Sequence, residues 1–308
     1  MKPLPAGYTP GQDKSGKTAG RSCCMTSYKD FTFGLYEKAL PDHLDWNQRL
    51  LQAREAGYDF IEISIDERDE RLARLDWGWE EKRSLLKAIE ETGTFIPTMC
   101  LSGHRRYPIG SVYPEIQKEG MNIMEKAIRF ASDTGIRIVQ LAGYDAWYDE
   151  PSTEVTAANF LHNLEQAVIW ASRLGVTLAI ESMGIEFMDS LEKVMFYVNK
   201  FNTPYLQAYP DIGNLDAMNK DIREEFECAR GHIVGIHIKD TVEGIVRRIP
   251  FGEGRVDFPE AFRVIRDSGF VGPVLVEMWA DGQDNTFEDV KAAKEFIVKR
   301  MEMVWAEM

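Results

Sequence analysis

The chain has 308 residues, 44% of them hydrophobic, which is enough for a sizeable buried core. Its formal net charge of -14, from 50 acidic against 36 basic residues, argues against a nucleic-acid partner, because phosphate backbones are gripped by clustered Lys and Arg. No apolar run approaches the roughly 18 to 20 residues that span a bilayer and no signal-peptide apolar segment follows the start, so a cytoplasmic chain is expected.

Residues 1–30 carry Pro3, Pro5, Pro10, Gly7, Gly11, Gly16 and Gly20 with almost no large aliphatics, and they read as a disordered extension, with Met25 as an alternative start. Cys23 and Cys24 are adjacent while Cys100 and Cys228 stand far apart, which is neither a disulfide framework nor a zinc knuckle. From Phe31 to the C-terminus, short apolar runs alternate with amphipathic stretches. The strand candidates are 32–36, 60–65, 95–101, 136–142, 176–181, 206–210, 233–239 and 273–278. Helix candidates include 44–56, 80–92, 120–133, 155–174 and 258–267, and Gly57, Gly93, Gly135, Gly175 and Gly269 stand where helix C-caps are expected. Eight strand-helix units over this length predict an α/β fold, a single (β/α)₈ barrel covering residues 31–308. The alternative, a doubly wound open sheet, usually carries a glycine-rich phosphate loop after its first strand, and none is present.

The last four strands share a pattern. Side chains alternate between the two faces of a strand. In Val176–Glu181 the even positions are aliphatic, and Glu181 ends the other face. The polar face of the next strand ends at Asp211, that of Ile233–Lys239 carries His237 and Lys239, and that of the last strand ends at Glu277. A barrel brings Glu181, Asp211, His237 and Glu277 to one place at its C-terminal mouth. Each alone reads as a solvated or salt-bridged residue. Together, three carboxylates and an imidazole held close and dry require a cation, and the set suits Mn²⁺, Zn²⁺, Co²⁺ or Mg²⁺ acting as a Lewis acid on a polyol or sugar. Such a cation would stabilise an enediolate formed next to a ketone. Glu181 and Glu277 could then remove a proton and return it on the other side. The competing reading is that both only hold the metal.

Other polar residues stand on loops at the same end. His104 and Arg105, with Arg106, follow the third strand and could hold a substrate phosphate or form ordinary surface salt bridges. Lys239 shares the inner face of His237 and is expected to contact substrate or support the metal ligands, Asp240 falls on the other face and could cap or pair locally, and Asn214 could bind a substrate hydroxyl or simply form a turn. Pro250–Gly254 is flexible enough to bring backbone amides to an anion.

These residues carry a resemblance. The segments Gly34–Pro41, Asp69–Leu72, Cys100–Arg106, Gln140–Asp145, Tyr209–Asn214, His237–Thr241 and Pro250–Gly254 resemble those of the xylose-isomerase-like barrel superfamily. Within it they are most similar to the L-ribulose-5-phosphate 3-epimerases, equally L-xylulose-5-phosphate 3-epimerases, of the UlaE and SgbU type. The resemblance runs from about Phe33 to the C-terminus. It implies an isomerase that interconverts L-ribulose 5-phosphate and L-xylulose 5-phosphate at C3 through a metal-stabilised enediolate, in L-ascorbate or related pentose catabolism. By the same resemblance Glu181, Asp211, His237 and Glu277 match the metal ligands, Glu181 and Glu277 the acid-base pair, and zinc is the expected metal, with manganese or cobalt as alternatives. Free-ketohexose epimerases place a His three after the metal Asp and an Arg six after the metal His. Asn214 and Glu243 stand there instead, which fits a phosphorylated pentulose. The rivals are an aldose-ketose isomerase acting on another sugar phosphate, an apurinic-site endonuclease, disfavoured by five His and the acidic charge, and a non-catalytic sugar-phosphate sensor. A homodimer is one expectation for assembly; Trp147, Tyr148 and Trp305 fit an interface or local packing equally.

Overall fold

The computed structural model describes residues 27–280 and 286–308. Its strands are β1 (Thr32–Tyr36), β2 (Phe60–Ile65), β3 (Phe95–Leu101), β4 (Ile138–Ala142), β5 (Thr177–Glu181), β6 (Leu206–Tyr209), β7 (Ile236–Ile238), β8 (Asp240–Val242), β9 (Ile245–Ile249) and β10 (Pro273–Val276). Eight of them form one parallel sheet in the order β6-β5-β4-β3-β2-β1-β10-β7. Parallel bridges from Ala208 to Ile233 and from Asp211 to His237 join its two ends, so the sheet closes into the expected (β/α)₈ barrel.

The helices are α1 (Trp46–Glu55), α2 (Asp69–Leu72), α3 (Trp79–Thr92), α4 (Pro114–Thr134), α5 (Glu154–Leu174), α6 (Leu191–Phe201), α7 (Ile212–Ala217), α8 (Ile222–Cys228), α9 (Phe258–Ser268) and α10 (Thr286–Trp305). They lay apolar stripes on the outer face of the strands. Ile61, Ile63 and Ile65 of β2 and Leu178 and Ile180 of β5 are wholly buried in that layer. The expected C-caps Gly93, Gly135, Gly175 and Gly269 end α3, α4, α5 and α9 in the left-handed conformation. Helices α2, α6, α7, α8 and α10 lie outside the ranges named from periodicity. No helix among the described residues is long and apolar enough to cross a membrane.

Three expectations need correction. The disordered reading of residues 1–30 lies outside the described residues as far as 26, but Ser27 caps a 3-10 turn over Tyr28–Asp30, and the Tyr28 hydroxyl donates to Glu302 on α10 at 2.6 Å. The ordered part therefore begins earlier than Phe31. The strand expected at 233–239 is cut to β7. Gly235 packs on the inward ring of Tyr209, where a Cβ would come within 2.4 Å of ring carbon, and this crowding accompanies the break in the ladder between Ile233 and Ile236. Finally, β8 and β9 pair as an antiparallel hairpin over the barrel mouth, a feature the βα accounting did not include. Beyond it, the Pro250–Gly254 loop does not offer free amides to an anion. The Asp240 carboxylate accepts from the amides of Gly252 (2.9 Å) and Gly254 (3.0 Å), and a Cβ on Gly254 would fall 1.9 Å from Asp240 Oδ1.

Candidate active site

Four strand ends build the centre. Glu181 is the last residue of β5, paired across the sheet with Tyr209 of β6. Asp211 is the N-cap of α7: its Oδ1 accepts from the amides of Gly213 (2.8 Å) and Asn214 (3.0 Å), and its own amide donates to Ser182 Oγ at 2.9 Å. With Oδ1 spent on the helix start, Oδ2 is left for the barrel interior. His237 bridges to Asp211 on one side and lies opposite Leu275 on the other. Glu277 follows β10 directly, its amide held by the Ile238 carbonyl at 2.9 Å. One ligand atom from each of Glu181, Asp211, His237 and Glu277 lies within 4.8 Å of the others, and all four residues are buried. The barrel thus brings together the four residues named from strand parity.

A fourth carboxylate stands behind them. Glu62 of β2, fully buried, places Oε1 2.9 Å from His237 Nε2, while His237 Nδ1 faces Glu181 Oε1 at 2.8 Å. Glu62 also accepts from the Tyr209 hydroxyl at 3.3 Å. Gln140 of β4 donates its amide to Glu181 Oε2 at 2.5 Å. Neither residue was singled out from sequence, although the signal was there: in Phe60–Ile65 the isoleucines take one face and Phe60, Glu62 and Ser64 the other, the same alternation that exposed Glu181.

The charge balance of this cluster is its chemical signature. Burial alone would depress the His237 imidazole, but the carboxylates of Glu62 and Glu181 outweigh it and hold the pKa well above the ordinary 6.5. Lys239 reaches inward as expected and places Nζ 2.6 Å from Asp211 Oδ2 and 2.9 Å from Glu277 Oε2. Burial nonetheless pushes the Asp211 carboxyl up to about 7, with Glu277 and Glu181 adding to the rise and the Lys239 ammonium offsetting part of it. At Glu277 burial works the same way, but there the Lys239 ammonium prevails and brings the pKa to about 2. With Glu62 counted, four buried carboxylates share one ammonium and one imidazole, and an oxygen-rich set with one imidazole fits a single divalent cation. His237 would offer it Nδ1, with Nε2–H donating to Glu62, the arrangement that fixes a metal-bound imidazole in one orientation.

The cluster opens into a cleft of about 340 Å³, lined further by Tyr36, Lys38, Arg105, Tyr144, Trp147 and Trp279. Of the loop residues named from sequence, Arg105, Asn214 and Lys239 line it. Arg105 donates to the Tyr144 hydroxyl at 3.0 Å and lies over the Tyr144 and Trp147 rings. Asn214 gives its side-chain amide to the Ser182 carbonyl at 2.9 Å. Its role here is to tie α7 to β5.

His104, expected beside the substrate, points away from the cleft. It is 2% exposed, its ring Nε2–H donates to the Gly120 carbonyl at 3.1 Å, and burial pushes its pKa down to about 4. Arg106 faces outward to Asp69 at 2.7 Å. The His104 placement sets a pH dependence. Between pH 6.5 and 4 the unfolded chain takes up a proton that the folded chain refuses, so stability falls as acid is added across that window. The group's contribution is on the order of 3 kcal/mol. His104→Gln is expected to flatten the urea-unfolding free energy against pH between 4 and 6.5; an unchanged slope would assign the acid sensitivity to other groups.

Comparison with known proteins bears on this geometry. Residues 50–300 match the model of the family described as xylose isomerase-like TIM barrel. The chain is 46% identical over 273 residues, 89% of its length and 96% of the relative, to the L-ribulose-5-phosphate 3-epimerase UlaE of Salmonella heidelberg (strain SL476), and equally to that of Escherichia coli O1:K1 / APEC. Among solved structures, an L-ribulose 3-epimerase superposes with a TM-score of 0.75 at 18% identity, covering 90% of this chain and 96% of the other. A D-psicose 3-epimerase from Clostridium cellulolyticum H10 with D-tagatose superposes with the same score at 13% identity, covering 88% and 99%. At such identities the structures attest the fold.

Proposed function

We propose, since the chain belongs to the xylose isomerase-like TIM barrel family and within it to the L-ribulose-5-phosphate 3-epimerases, that it interconverts L-ribulose 5-phosphate and L-xylulose 5-phosphate. The observation that carries the mechanism is the convergence of Glu181 and Glu277, one at the end of β5 and the other just past β10, on the wall of a single cleft. A divalent cation bound by Glu181, Asp211, His237 and Glu277 supplies Lewis-acid stabilisation of the charge that develops on the ketose oxygens. Zinc is the cation we assign, manganese and cobalt being compatible with the same donors.

Glu181 and Glu277 move the proton. Gln140 holds Glu181 through Oε2 and Lys239 holds Glu277 through Oε2, so both carboxylates are oriented before substrate enters. One removes the C3 proton from one face of the sugar, and the other delivers a proton to the opposite face, which inverts the carbon. Tyr36, Tyr144, Trp147 and Trp279 wall the cleft with rings and limit water around the carbanionic carbon. A small phosphorylated ketopentose is the substrate of this reading, and the cytoplasm its location.

Proton NMR of L-ribulose 5-phosphate incubated with metal-loaded enzyme in D₂O tests it. Deuterium is expected at C3, with L-xylulose 5-phosphate as product. Label at C1 or C2 with an aldose product would make the protein an aldose-ketose isomerase, and an absence of exchange and product would overturn the reading.

A further inference from the structure

A proton carried by Glu181 or Glu277 while the C3 carbanion exists exchanges with solvent unless water is kept away from it. Part of that shield is the β8–β9 hairpin. Gly244, Ile245, Val246 and Arg247 line the cleft, and the hairpin reaches both sides on which the two carboxylates stand. On one side Val246 packs against Gly184, three residues past Glu181, where a Cβ would fall 3.3 Å from Val246 Cγ1. On the other, the Arg247 guanidinium lies over the ring of Trp279, two residues past Glu277, at 5.9 Å. The hairpin therefore roofs the mouth between the members of the proton-moving pair.

A two-stranded hairpin is at best marginally stable by itself, so its root must be held. Asp240 holds it. The residue is 2% exposed, and its carboxylate is shared among four backbone amides at the two ends of the excursion. Oδ1 accepts from Thr241 (2.9 Å) and Val256 (3.3 Å), and Oδ2 from Gly252 (2.9 Å) and Gly254 (3.0 Å). Next to this clamp, the Arg255 amide donates to the Thr241 carbonyl at 2.8 Å. The Arg255 guanidinium reaches Asp216 Oδ2 (2.7 Å) on α7 and Asn219 Oδ1 (2.8 Å) just past it. The root is thus tied to the helix that Asp211 caps.

We propose that Asp240 is a positioning residue for the epimerisation: its carboxylate clamps the root of the hairpin, and the clamped hairpin keeps solvent from the protons that Glu181 and Glu277 carry. The proposal rests on the C3-epimerase reading above. Asp240 is absent from the lining of the cleft, so it acts through the hairpin and not on the sugar. A carboxylate suits the post because both of its oxygens accept, whereas an asparagine of the same shape turns an N–H donor toward two of the four amides. Each buried amide left without an acceptor weakens the clamp.

The test is a partition ratio: deuterium at C3 of recovered L-ribulose 5-phosphate divided by L-xylulose 5-phosphate formed, read by proton NMR early in the reaction of metal-loaded enzyme in D₂O. A proton that exchanges before it returns labels the substrate without turnover, so an opened roof raises the ratio. A smaller fraction of folded enzyme lowers both quantities alike and leaves the ratio where it was. Asp240→Asn is expected to lower kcat/KM by about 10- to 100-fold, within what a misplaced wall of a site costs, and to raise the ratio several-fold. Val246→Gly leaves the root intact, takes away the contact with Gly184, and is expected to raise the ratio too. An unchanged ratio in either folded variant, whatever its rate, would overturn the proposal and leave the epimerase reading standing. If Asp240→Asn does not fold, as circular dichroism would show, the Val246→Gly ratio decides alone. A wild type that gives neither product nor exchange overturns the reading on which the proposal rests.

Discussion

Replacing Glu277 by glutamine is expected to lower kcat for C3 epimerisation by about 10³-fold, within the range that a positioned acid-base group contributes, with the fold retained. Glutamine has nearly the shape of glutamate, can still accept from the Lys239 ammonium that now lies 2.9 Å from Oε2, and cannot take up a proton. Glu181→Gln is expected to be equally damaging, its Oε1 being replaceable as an acceptor but not as a base. Because both residues also belong to the metal-fitting cluster, turnover alone does not separate the two roles. Metal content and isotope exchange do. A variant that keeps one divalent ion per chain and loses turnover has lost a base, whereas one that recovers turnover in excess metal has lost only a ligand. The two-carboxylate mechanism makes a sharper demand: each variant should still exchange the C3 hydrogen of one epimer, the one whose hydrogen faces the surviving carboxylate. Wild-type turnover in either variant would end the mechanism.

Glu62→Gln is expected to weaken divalent-metal retention by about 10- to 100-fold, the usual consequence of removing a carboxylate that orients a ligating imidazole. Turnover at limiting metal should fall in parallel and recover partly at saturation. The physical reason lies in His237, buried between two carboxylates at 2.8 and 2.9 Å. A neutral amide at position 62 still fills the space but holds the ring less strongly, and it can present an N–H to Nε2 that turns the imidazole the wrong way. The Tyr209 hydroxyl, 3.3 Å from Glu62 Oε2, loses its charged acceptor in the same substitution. Equilibrium dialysis against a buffered metal series reads the effect directly. Metal affinity and activity equal to wild type would reduce Glu62 to a core residue whose charge is incidental.

The contrast between Glu62 and His104 shows what a linear chain reveals. Glu62 was legible in principle, since a strand alternates with period two wherever it lies and a carboxylate among isoleucines on the inward parity is a signal. The parity of the last four strands does not reach it, because it stands on β2. His104 was not legible. It lies in a short 3-10 turn, which imposes no lasting face, and whether its ring turns to the cleft or under α4 depends on Gly120, sixteen residues away. The Pro250–Gly254 loop misled for a similar reason: its glycines predict access to backbone amides, but the group that takes those amides is the carboxylate of Asp240.

The amino-acid sequence by itself therefore determined the barrel and the four converging residues, because strand parity and the repeat of strand and helix are local properties that the closed sheet only has to gather. It also carried the family, through motifs spread along most of the chain. Tertiary structure alone decided which partners complete the site. Glu62 meets His237 across 175 positions, Lys239 divides itself between Asp211 and Glu277, and Arg247 reaches the cleft on a hairpin folded over the barrel mouth. Electrostatic pairing acts through space over a few ångströms, and no spacing along the chain encodes that distance.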